Sequence, residues 1–294
     1  MAGLAVVIPT IREDRLAIFL KEWAPLFEKH NVDIVIVHDG NLPYVEYNEQ
    51  TISLKEVMED HADLIFNHND GVRNLGFAYV ARYLKETNIL ITLDDDVSPI
   101  GDTIQDHVDA LSMKVPVSWL MTSSEYMRGF PYGIREEAEV VLSHGIWTGT
   151  LDYDAPTQLV LGNRVAGFYK GSIPKNIYYP MSGMNIAFKR KILSAMYFAP
   201  MGPKVGIDRF ADIWTGITSK RYIDSNGFAV VSGYAMVDHS RASNIFTNIV
   251  KESKGLALNE NFWKGEDKTN EYFLIYEEKI KRWAEFLKKY NREI

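Results

Sequence analysis

The sequence contains no cysteine among its 294 residues, which excludes disulfides, thiolate metal sites and cysteine nucleophiles. It also lacks an apolar run that approaches the ~18 residues of a membrane span. Met1 is followed directly by an apolar segment, without a basic region or a cleavage site. We therefore expect a cytoplasmic protein that does not insert into membranes.

Positive charge is in deficit, since 32 Lys and Arg oppose 39 Asp and Glu and the formal net charge is −7. A protein that binds nucleic acid by phosphate attraction needs the opposite sign, so we exclude nucleic acid as a partner. An anionic small substrate would have to meet local Arg, Lys or a metal ion. Hydrophobic residues make up 46% of the chain, which excludes disorder and suits a large buried core.

Short apolar segments alternate with amphipathic ones along the chain. The pattern predicts strands over 4–8, 33–37, 63–66, 88–93 and 228–237, and helices over 13–29, 54–61, 74–86, 208–221 and 271–290. Strands without polar alternation, separated by helices, indicate a parallel sheet covered on both faces. We predict an α/β, Rossmann-like, mostly parallel sheet flanked by helices over 1–245, and a C-terminal helical extension over 246–294 packed on it.

Three consecutive acids, Asp94, Asp95 and Asp96, directly follow an apolar strand. In an extended chain Asp94 and Asp96 project to one side and Asp95 to the other. Two carboxylates on one side suit Mg²⁺ or Mn²⁺ and leave coordination positions of the ion open for diphosphate oxygens. The imidazole of His239, at the end of the last predicted strand, is a good third ligand. The alternative is a solvated loop that caps a helix starting near Asp102.

Two arginines, Arg128 and Arg135, lie in a segment rich in glycine, proline and aromatics over 126–136. Guanidinium groups at this spacing could clamp a diphosphate through bidentate hydrogen bonds. The alternative is that both are surface residues that stack on neighbouring tyrosines.

A second polar region follows in the middle of the chain. Asp152 and Asp154 could bind sugar hydroxyls, and Trp147 could stack on a sugar face. The small-residue turn that holds Gly183 and Asn185 either lets the backbone approach a ligand or is only a tight turn.

The predicted helix over 208–221 has an apolar stripe that contains Phe210 and Ile217. Asp212 and Asp208 share the opposite face. That face is either solvated or directed into a site.

These segments together resemble one family, the plant reversibly glycosylated polypeptides or UDP-arabinopyranose mutases of glycosyltransferase family 75. The ordered segments that carry the resemblance are 7–12, 92–96, 128–131 with 135–136, 143–147, 152–160, 180–185, 195–198 and 239–244. The resemblance implies a glycosyltransferase-A-like domain over 1–245 that binds a nucleotide sugar, with Mn²⁺ or Mg²⁺ held at the Asp triplet. It also implies a UDP-sugar substrate, interconversion of UDP-arabinopyranose and UDP-arabinofuranose, and self-glycosylation.

The resemblance also assigns roles to residues. Arg128 matches the family's glycosylated arginine, and Arg135 matches one that activity requires. With Asp212 these are the predicted catalytic residues, and Asp94, Asp96 and His239 are the predicted metal ligands. The predicted nucleotide-sugar-binding residues are Pro9, Thr10, Arg12, Asp39, Arg73, Asp94, Asp95, Trp147, Asp152, Asp154, Gly183 and Asn185.

The chain departs from the family in three places. One acid of the family's Asp-Asp-Met-Trp is replaced by Ala211, beside Asp212, and Ser182 replaces the cysteine of its Pro-Met-Cys-Gly. The tail is shorter and different. The exact sugar stays open, as does whether the chain forms a homo-oligomer.

A ring contraction requires UDP to leave, the sugar ring to open and reclose, and UDP to return. The metal ion would neutralise the departing diphosphate, with Arg73 or Arg128 adding to that effect. A guanidinium is a poor nucleophile, so Asp212, Asp152 or Asp154 would have to act as its base. Two alternatives remain: a UDP-sugar transferase or hydrolase for glucose, galactose or arabinose, and a non-catalytic glycosylated carrier.

Overall fold

The computed structural model describes residues 3–119, 128–162, 167–240, 244–262 and 270–290. Its strands are β1 (Gly3–Thr10), β2 (Val32–His38), β3 (Tyr44–Tyr47), β4 (Gln50–Ser53), β5 (Thr87–Leu93), β6 (Val97–Pro99), β7 (Lys114–Pro116), β8 (Glu137–Gly149), β9 (Gly171–Ile173), β10 (Asn185–Lys189) and β11 (Ala229–His239). Its α-helices are α1 (Glu13–His30), α2 (Leu54–Met58), α3 (Arg73–Tyr83), α4 (Thr103–Ser112), α5 (Ala155–Leu161), α6 (Ala211–Ser225), α7 (Ile245–Phe262) and α8 (Glu271–Lys288).

The strands form one mixed sheet in the order β4-β3-β2-β1-β5-β10-β8-β11-β6, with β7 paired to β8 and β9 to β11. The pairs β1–β2, β1–β5 and β8–β11 are parallel. Strand β10 runs antiparallel to both β5 and β8. The sheet is therefore mixed where a mostly parallel one was predicted. The pattern misleads because β10 is buried on both faces, so it lacks polar alternation although it is antiparallel.

Each face of the sheet carries its own hydrophobic core, and β1 contributes to both. Leu4, Val6 and Ile8 pack with helix α1 on one face. Ala5 and Val7 pack with helix α3 on the other. Because side chains alternate along a strand, an uninterrupted apolar run is what a central strand between two layers requires.

Most predicted elements are confirmed within a few residues, including α1, α3, β5, α6, β11 and α8. The predicted strand over 63–66 is wrong, since a 3₁₀ helix runs over Glu59–Leu64. Leu64, Ile65 and Phe66 are buried, so the apolar run at these residues is explained by burial and not by strand pairing. The hairpin of β3 and β4 was not predicted.

Helix α8 packs its apolar face into the core that lies on the α3 side of the sheet. Trp283, Phe286 and Leu287 are fully buried there, and the Trp283 indole donates to the Leu193 carbonyl at 3.2 Å. The C-terminal segment is thus part of the packed core. Of the helices in the described ranges, none combines the length and the apolar character needed to cross a bilayer.

Candidate functional site

A cavity of about 740 Å³ opens beside the carboxyl end of β5. Its wall brings together many of the predicted site residues, which come from distant parts of the chain. These are Arg12, Asp94, Asp96, Trp147, Asp152, Asp154, Asp212 and His239.

The Asp triplet divides as its alternation predicts. Asp94 and Asp96 line the cavity, whereas Asp95 turns away and is buried. The Thr10 hydroxyl donates to Asp95 at 2.6 Å, and Arg12 forms an ion pair with Asp95 and lies 3.2 Å from Asp96. Through these contacts Thr10 and Arg12 support the acidic loop, and their predicted binding of the nucleotide stays a prediction.

Arg73 lies directly behind the cavity wall with no solvent exposure. Its Nη2 donates to Asp94 Oδ1 at 2.8 Å, and its Nη1 donates to Thr92 Oγ1 and to the Gly183 carbonyl at 2.9 and 2.7 Å. A fully enclosed guanidinium cannot reach a diphosphate. The contacts of Arg73 therefore indicate that it orients Asp94, and not that it contacts the nucleotide as predicted.

His239, at the end of β11, presents a defined nitrogen to Asp96. Its Nδ1 bonds the Thr150 carbonyl at 2.7 Å, so Nδ1 carries the proton and donates. The other ring nitrogen, Nε2, faces Asp96 Oδ1 at 3.8 Å. A backbone carbonyl that accepts from one ring nitrogen and so orients the ring is typical of histidines that bind metal ions through the other nitrogen.

The donor set of Asp94, Asp96 and His239 suits Mn²⁺ or Mg²⁺ chemically, because it offers carboxylate oxygens and an imidazole nitrogen. Burial, followed by repulsion from Asp94, raises the pKa of Asp96, and a bound cation would relieve that repulsion. Among the described residues, no three His, Asp or Glu side chains are gathered closely enough to hold a metal ion by themselves. Substrate oxygens would have to complete such a site.

The turn at Ser182 and Gly183 connects the acids of the cavity. The Ser182 amide donates to His144 Nε2 at 3.1 Å, and its hydroxyl donates to Asp152 at 2.7 Å. The Gly183 amide donates to Asp212 at 2.9 Å. Burial lowers the pKa of His144 to about 3, so the ring is neutral and accepts as this network requires.

A Cβ on Gly183 would lie 3.2 Å from the Arg73 guanidinium, so the close approach at this glycine is to Arg73. Asn185 is fully buried, and its side-chain oxygen accepts from His107 at 2.8 Å. Both residues were predicted to bind the nucleotide sugar, and the structure instead gives each an internal partner.

Asp212, at the start of α6, lines the cavity together with Asp208, so the acidic face of this helix is directed into the site. Burial, and then repulsion from Asp70 and Asp152, raises the pKa of Asp212 to about 8. Such a carboxyl retains its proton at neutral pH. The group predicted to act as a base is therefore better suited to begin as an acid.

Two further predicted residues, Asp39 and Pro9, lie beside the cavity and not among its lining residues. Asp39 accepts from the amides of Gly40 and His68 at 2.7 and 2.8 Å, and burial raises its pKa. Pro9 lies in β1, paired with Val37 of β2. Asp154 does line the cavity, but both its oxygens also accept from Thr157 and thereby cap α5.

The two predicted catalytic arginines lie apart from the other site residues. Arg128 is exposed, and neither Arg128 nor Arg135 is among the described residues that line the cavity. The Arg135 guanidinium lies 3.8 Å from the ring centroid of Tyr132, and its Nη2 donates to the Phe130 carbonyl at 3.0 Å. Stacking on a neighbouring tyrosine was the alternative that the sequence left open for it. Residues 126 and 127 of the same segment lie outside the described residues.

Four cavity residues near the start of α6 and on α7 were not predicted. They are Arg209, Lys251, Glu252 and Asn259. The segment over 246–262 was predicted only as part of a helical extension, and its buried Glu252 follows no motif. Only the fold brings it to the cavity.

Comparison with known proteins shows a family match over most of the chain. The sequence model described as "Reversibly glycosylated polypeptide" matches residues 2–264. "Probable UDP-arabinopyranose mutase 4" of Arabidopsis thaliana is 34% identical over 286 residues, covering 88% of this chain and 75% of that protein. "UDP-arabinopyranose mutase 3" of Arabidopsis thaliana is 33% identical over 291 residues, with coverages of 90% and 76%. "UDP-arabinopyranose mutase 1" of Oryza sativa subsp. japonica is 32% identical over 289 residues, with coverages of 89% and 75%.

Similarity to solved structures is much weaker. The catalytic domain of Drosophila beta1,4galactosyltransferase 7 aligns with a TM-score of 0.42 and 11% identity, covering 84% of this chain and 73% of that one. A197 from STIV aligns with a TM-score of 0.40 and 12% identity, covering 81% and 86%. Scores this low establish no common fold, so the family match depends on sequence alone.

Proposed function

Because this chain belongs to the reversibly glycosylated polypeptide family, we propose that it interconverts UDP-arabinopyranose and UDP-arabinofuranose, the activity for which its relatives are named. The observation that carries the proposal is one cavity that holds two kinds of acid. Asp94 and Asp96 line the cavity and would serve a cation and a diphosphate, and Asp212, whose pKa is raised to about 8, would supply a proton to the sugar.

Mn²⁺ or Mg²⁺ would be held by Asp94, Asp96 and His239, with oxygens of the substrate diphosphate completing the coordination. When bound, the cation supplies charge neutralisation for the departing UDP. Arg73 and Arg12 serve this end of the cavity by orienting Asp94 and Asp96 through the contacts described above.

The isomerisation moves one proton between two sugar oxygens. In the pyranose, O5 is the ring oxygen and O4 carries a proton; in the furanose, these roles are exchanged. The bond from C1 to UDP breaks before the ring opens and re-forms after it recloses, and C1 stays bonded to the protein in between. The C1–O5 bond breaks as O5 gains a proton, and the C1–O4 bond forms as O4 loses one. A single carboxyl that starts protonated, as Asp212 does, can donate to O5 and accept from O4, so it returns to its starting state.

The sugar would lie against Trp147 and Asp152. The Trp147 indole nitrogen is buried without a hydrogen-bond partner among the described residues, and a sugar hydroxyl would satisfy it. Asp152 accepts from Ser182 through Oδ2, which fixes its orientation toward the cavity. Asp154 would contribute less, because both its oxygens already cap α5.

Self-glycosylation is assigned to Arg128, whose exposure leaves it open to modification. A protonated guanidinium is a poor nucleophile, so a carboxylate such as Asp152 or Asp154 has to remove its proton, since Asp212 retains its own. Arg135 supports the same segment through its contacts with Tyr132 and Phe130.

Product analysis tests the proposal. The protein is incubated with Mn²⁺ and, in separate reactions, UDP-arabinopyranose, UDP-glucose and UDP-galactose, and the nucleotides are separated by chromatography. We expect an isomeric UDP-arabinose with little free UDP. Accumulation of free UDP would instead identify a transferase or hydrolase, and labelling of the protein without turnover would identify a carrier.

A cytoplasmic location stays a prediction, and whether the chain forms a homo-oligomer stays open.

A further inference from the structure

The arginines near the cavity differ in what their guanidinium groups contact. Arg73 is sealed behind the wall, and Arg12 is engaged by Asp95 and Asp96. Arg209 lines the cavity, and its Nη1 and Nη2 donate to no group among the described residues. Arg209 is thus the cavity arginine whose terminal nitrogens are available to a ligand.

Arg209 is held in an unusual backbone conformation just before α6. Its φ of +65° is left-handed, which is unfavourable for a residue that has a side chain. The Asp208 carboxylate accepts from the Arg209 amide at 2.9 Å and supports this turn. Strain of this kind is retained where the position of the side chain matters.

Glu252 of α7 fixes the guanidinium from behind. Its carboxylate is buried, and its Oε1 accepts from Arg209 Nε at 3.0 Å. Its other oxygen accepts from the amide of Ala155 at 2.7 Å, at the first residue of α5. One carboxylate therefore joins the cavity arginine to the segment that carries Asp152 and Asp154.

We propose that Arg209 binds the diphosphate of the UDP-sugar through its terminal nitrogens, and that Glu252 is the residue that positions it. This inference rests on the proposed function, because it takes a nucleoside diphosphate as the ligand. It makes helix α7, which was predicted only as part of a packed extension, a contributor to the binding site.

Charge favours the diphosphate over the sugar as the group bound. The cavity is lined by carboxylates, and a UDP-sugar brings two more negative charges, so cations have to face it. Asp70, Glu252 and Asp152 raise the pKa of Arg209, which keeps it charged. A fixed guanidinium matches paired phosphate oxygens in geometry, whereas it would oppose the positive charge that develops at C1.

The test compares UDP with uridine by calorimetry in the presence of Mn²⁺, using wild type, Arg209→Lys, Glu252→Gln and the double variant. We expect Arg209→Lys to weaken UDP binding about 10-fold or more, because lysine loses the planar fork. Uridine, which has no phosphate, should bind with equal affinity to wild type and to Arg209→Lys. Glu252→Gln should weaken UDP binding too, since an amide can present only one oxygen to the two donors.

The double variant separates positioning from general damage to the fold. If Glu252 acts through Arg209, the double variant binds UDP no more weakly than Arg209→Lys alone. Glu260→Gln removes an exposed charge from the same helix and should bind UDP like wild type. Melting temperatures identify any variant that does not fold. If Glu252→Gln or the double variant does not fold, the UDP affinity of Arg209→Lys alone tests the proposal.

Equal UDP affinity of wild type and Arg209→Lys would overturn this inference while leaving the proposed function intact. Fully additive losses in the double variant would overturn the positioning role of Glu252. A wild-type protein that binds no UDP would overturn the proposed function itself, and this inference with it.

Discussion

Arg73 donates a hydrogen bond to Asp94 at 2.8 Å from a position that solvent does not reach. The same guanidinium also holds Thr92 and the Gly183 carbonyl, so one buried cation sets the direction of Asp94 and the path of the neighbouring turn. The acidic end of the cavity is therefore supported from behind by a residue that is enclosed within the protein.

Replacing Arg73 should weaken metal-dependent binding. In Arg73→Lys the single nitrogen of the ammonium cannot reach all four acceptors of the guanidinium, which include the Asp70 carbonyl, so Asp94 loses its fixed orientation. We expect UDP binding to require about 10- to 100-fold more Mn²⁺, the range typical of residues that orient a metal ligand. A manganese titration of UDP binding measures this, with the exposed Arg221→Lys as the control. An unchanged manganese requirement would show that Asp94 does not hold the cation.

The pKa of Asp212 predicts the pH dependence of turnover. Because the folded pKa is raised to about 8, the carboxyl is protonated at neutral pH and loses its proton as pH rises through 8. We expect kcat to fall on the alkaline side of that value and Asp212→Asn to be inactive at every pH. Rates of furanose formation between pH 6 and 10 test this. A rate that rises through pH 8 would identify Asp212 as a base.

Arg128 should be required for both labelling and turnover. We expect Arg128→Ala to take up no sugar and to form no furanose, and Arg128→Lys to fail as well, because an ammonium cannot copy the planar fork. Intact-protein mass after incubation with UDP-arabinopyranose measures labelling, and chromatography measures furanose. Arg221→Ala is the matched control. Normal furanose formation by Arg128→Ala would show that glycosylation of Arg128 is a side reaction.

An ion-pair cluster couples α8 to the rest of the fold and predicts how stability depends on pH. Arg282 donates to both oxygens of Asp63 at 2.6 and 2.7 Å, and Lys279 adds a third contact at 2.6 Å. The hydrogen bond with Arg282, with further support from Lys279, lowers the pKa of Asp63 to about 2. The contribution is therefore complete above the unfolded pKa of about 4 and is lost as pH falls toward 2.

Asp63→Asn should lower the free energy of unfolding by about 1 kcal/mol at pH 7, a modest value because the pair is half exposed. Urea unfolding at pH 7 and at several values below 4 measures the difference, which should shrink with acidification. Asp60→Asn, an exposed neighbour, should have no such effect. A pH-independent difference would mean that the ion pair is not its cause.

Local pattern was enough to predict the parts of the fold that depend on near neighbours. The apolar run of β1, the amphipathic stripe of α1 and the alternation of Asp94 and Asp96 each follow from backbone periodicity. The direction of β10 was not accessible, because burial on both faces looks alike in parallel and antiparallel strands.

The unpredicted parts of the site depend on long-range contacts. Arg73 is among the predicted binding residues, but its enclosure and its contact with Asp94 depend on the fold. Arg209 and Glu252 are far apart in the chain, and their pairing requires a left-handed turn that no glycine marks. Residues that hold the site from behind carry no motif, since their chemistry is local while their partners are distant.

Running the reaction backward tests the central claim most directly. An isomerase supplied with UDP-arabinofuranose and Mn²⁺ has to form UDP-arabinopyranose and reach the same ratio of the two sugars as it does from the pyranose. We predict that common ratio, with little free UDP accumulating in solution from either sugar. Release of UDP from either sugar, without appearance of the other isomer, would contradict the account.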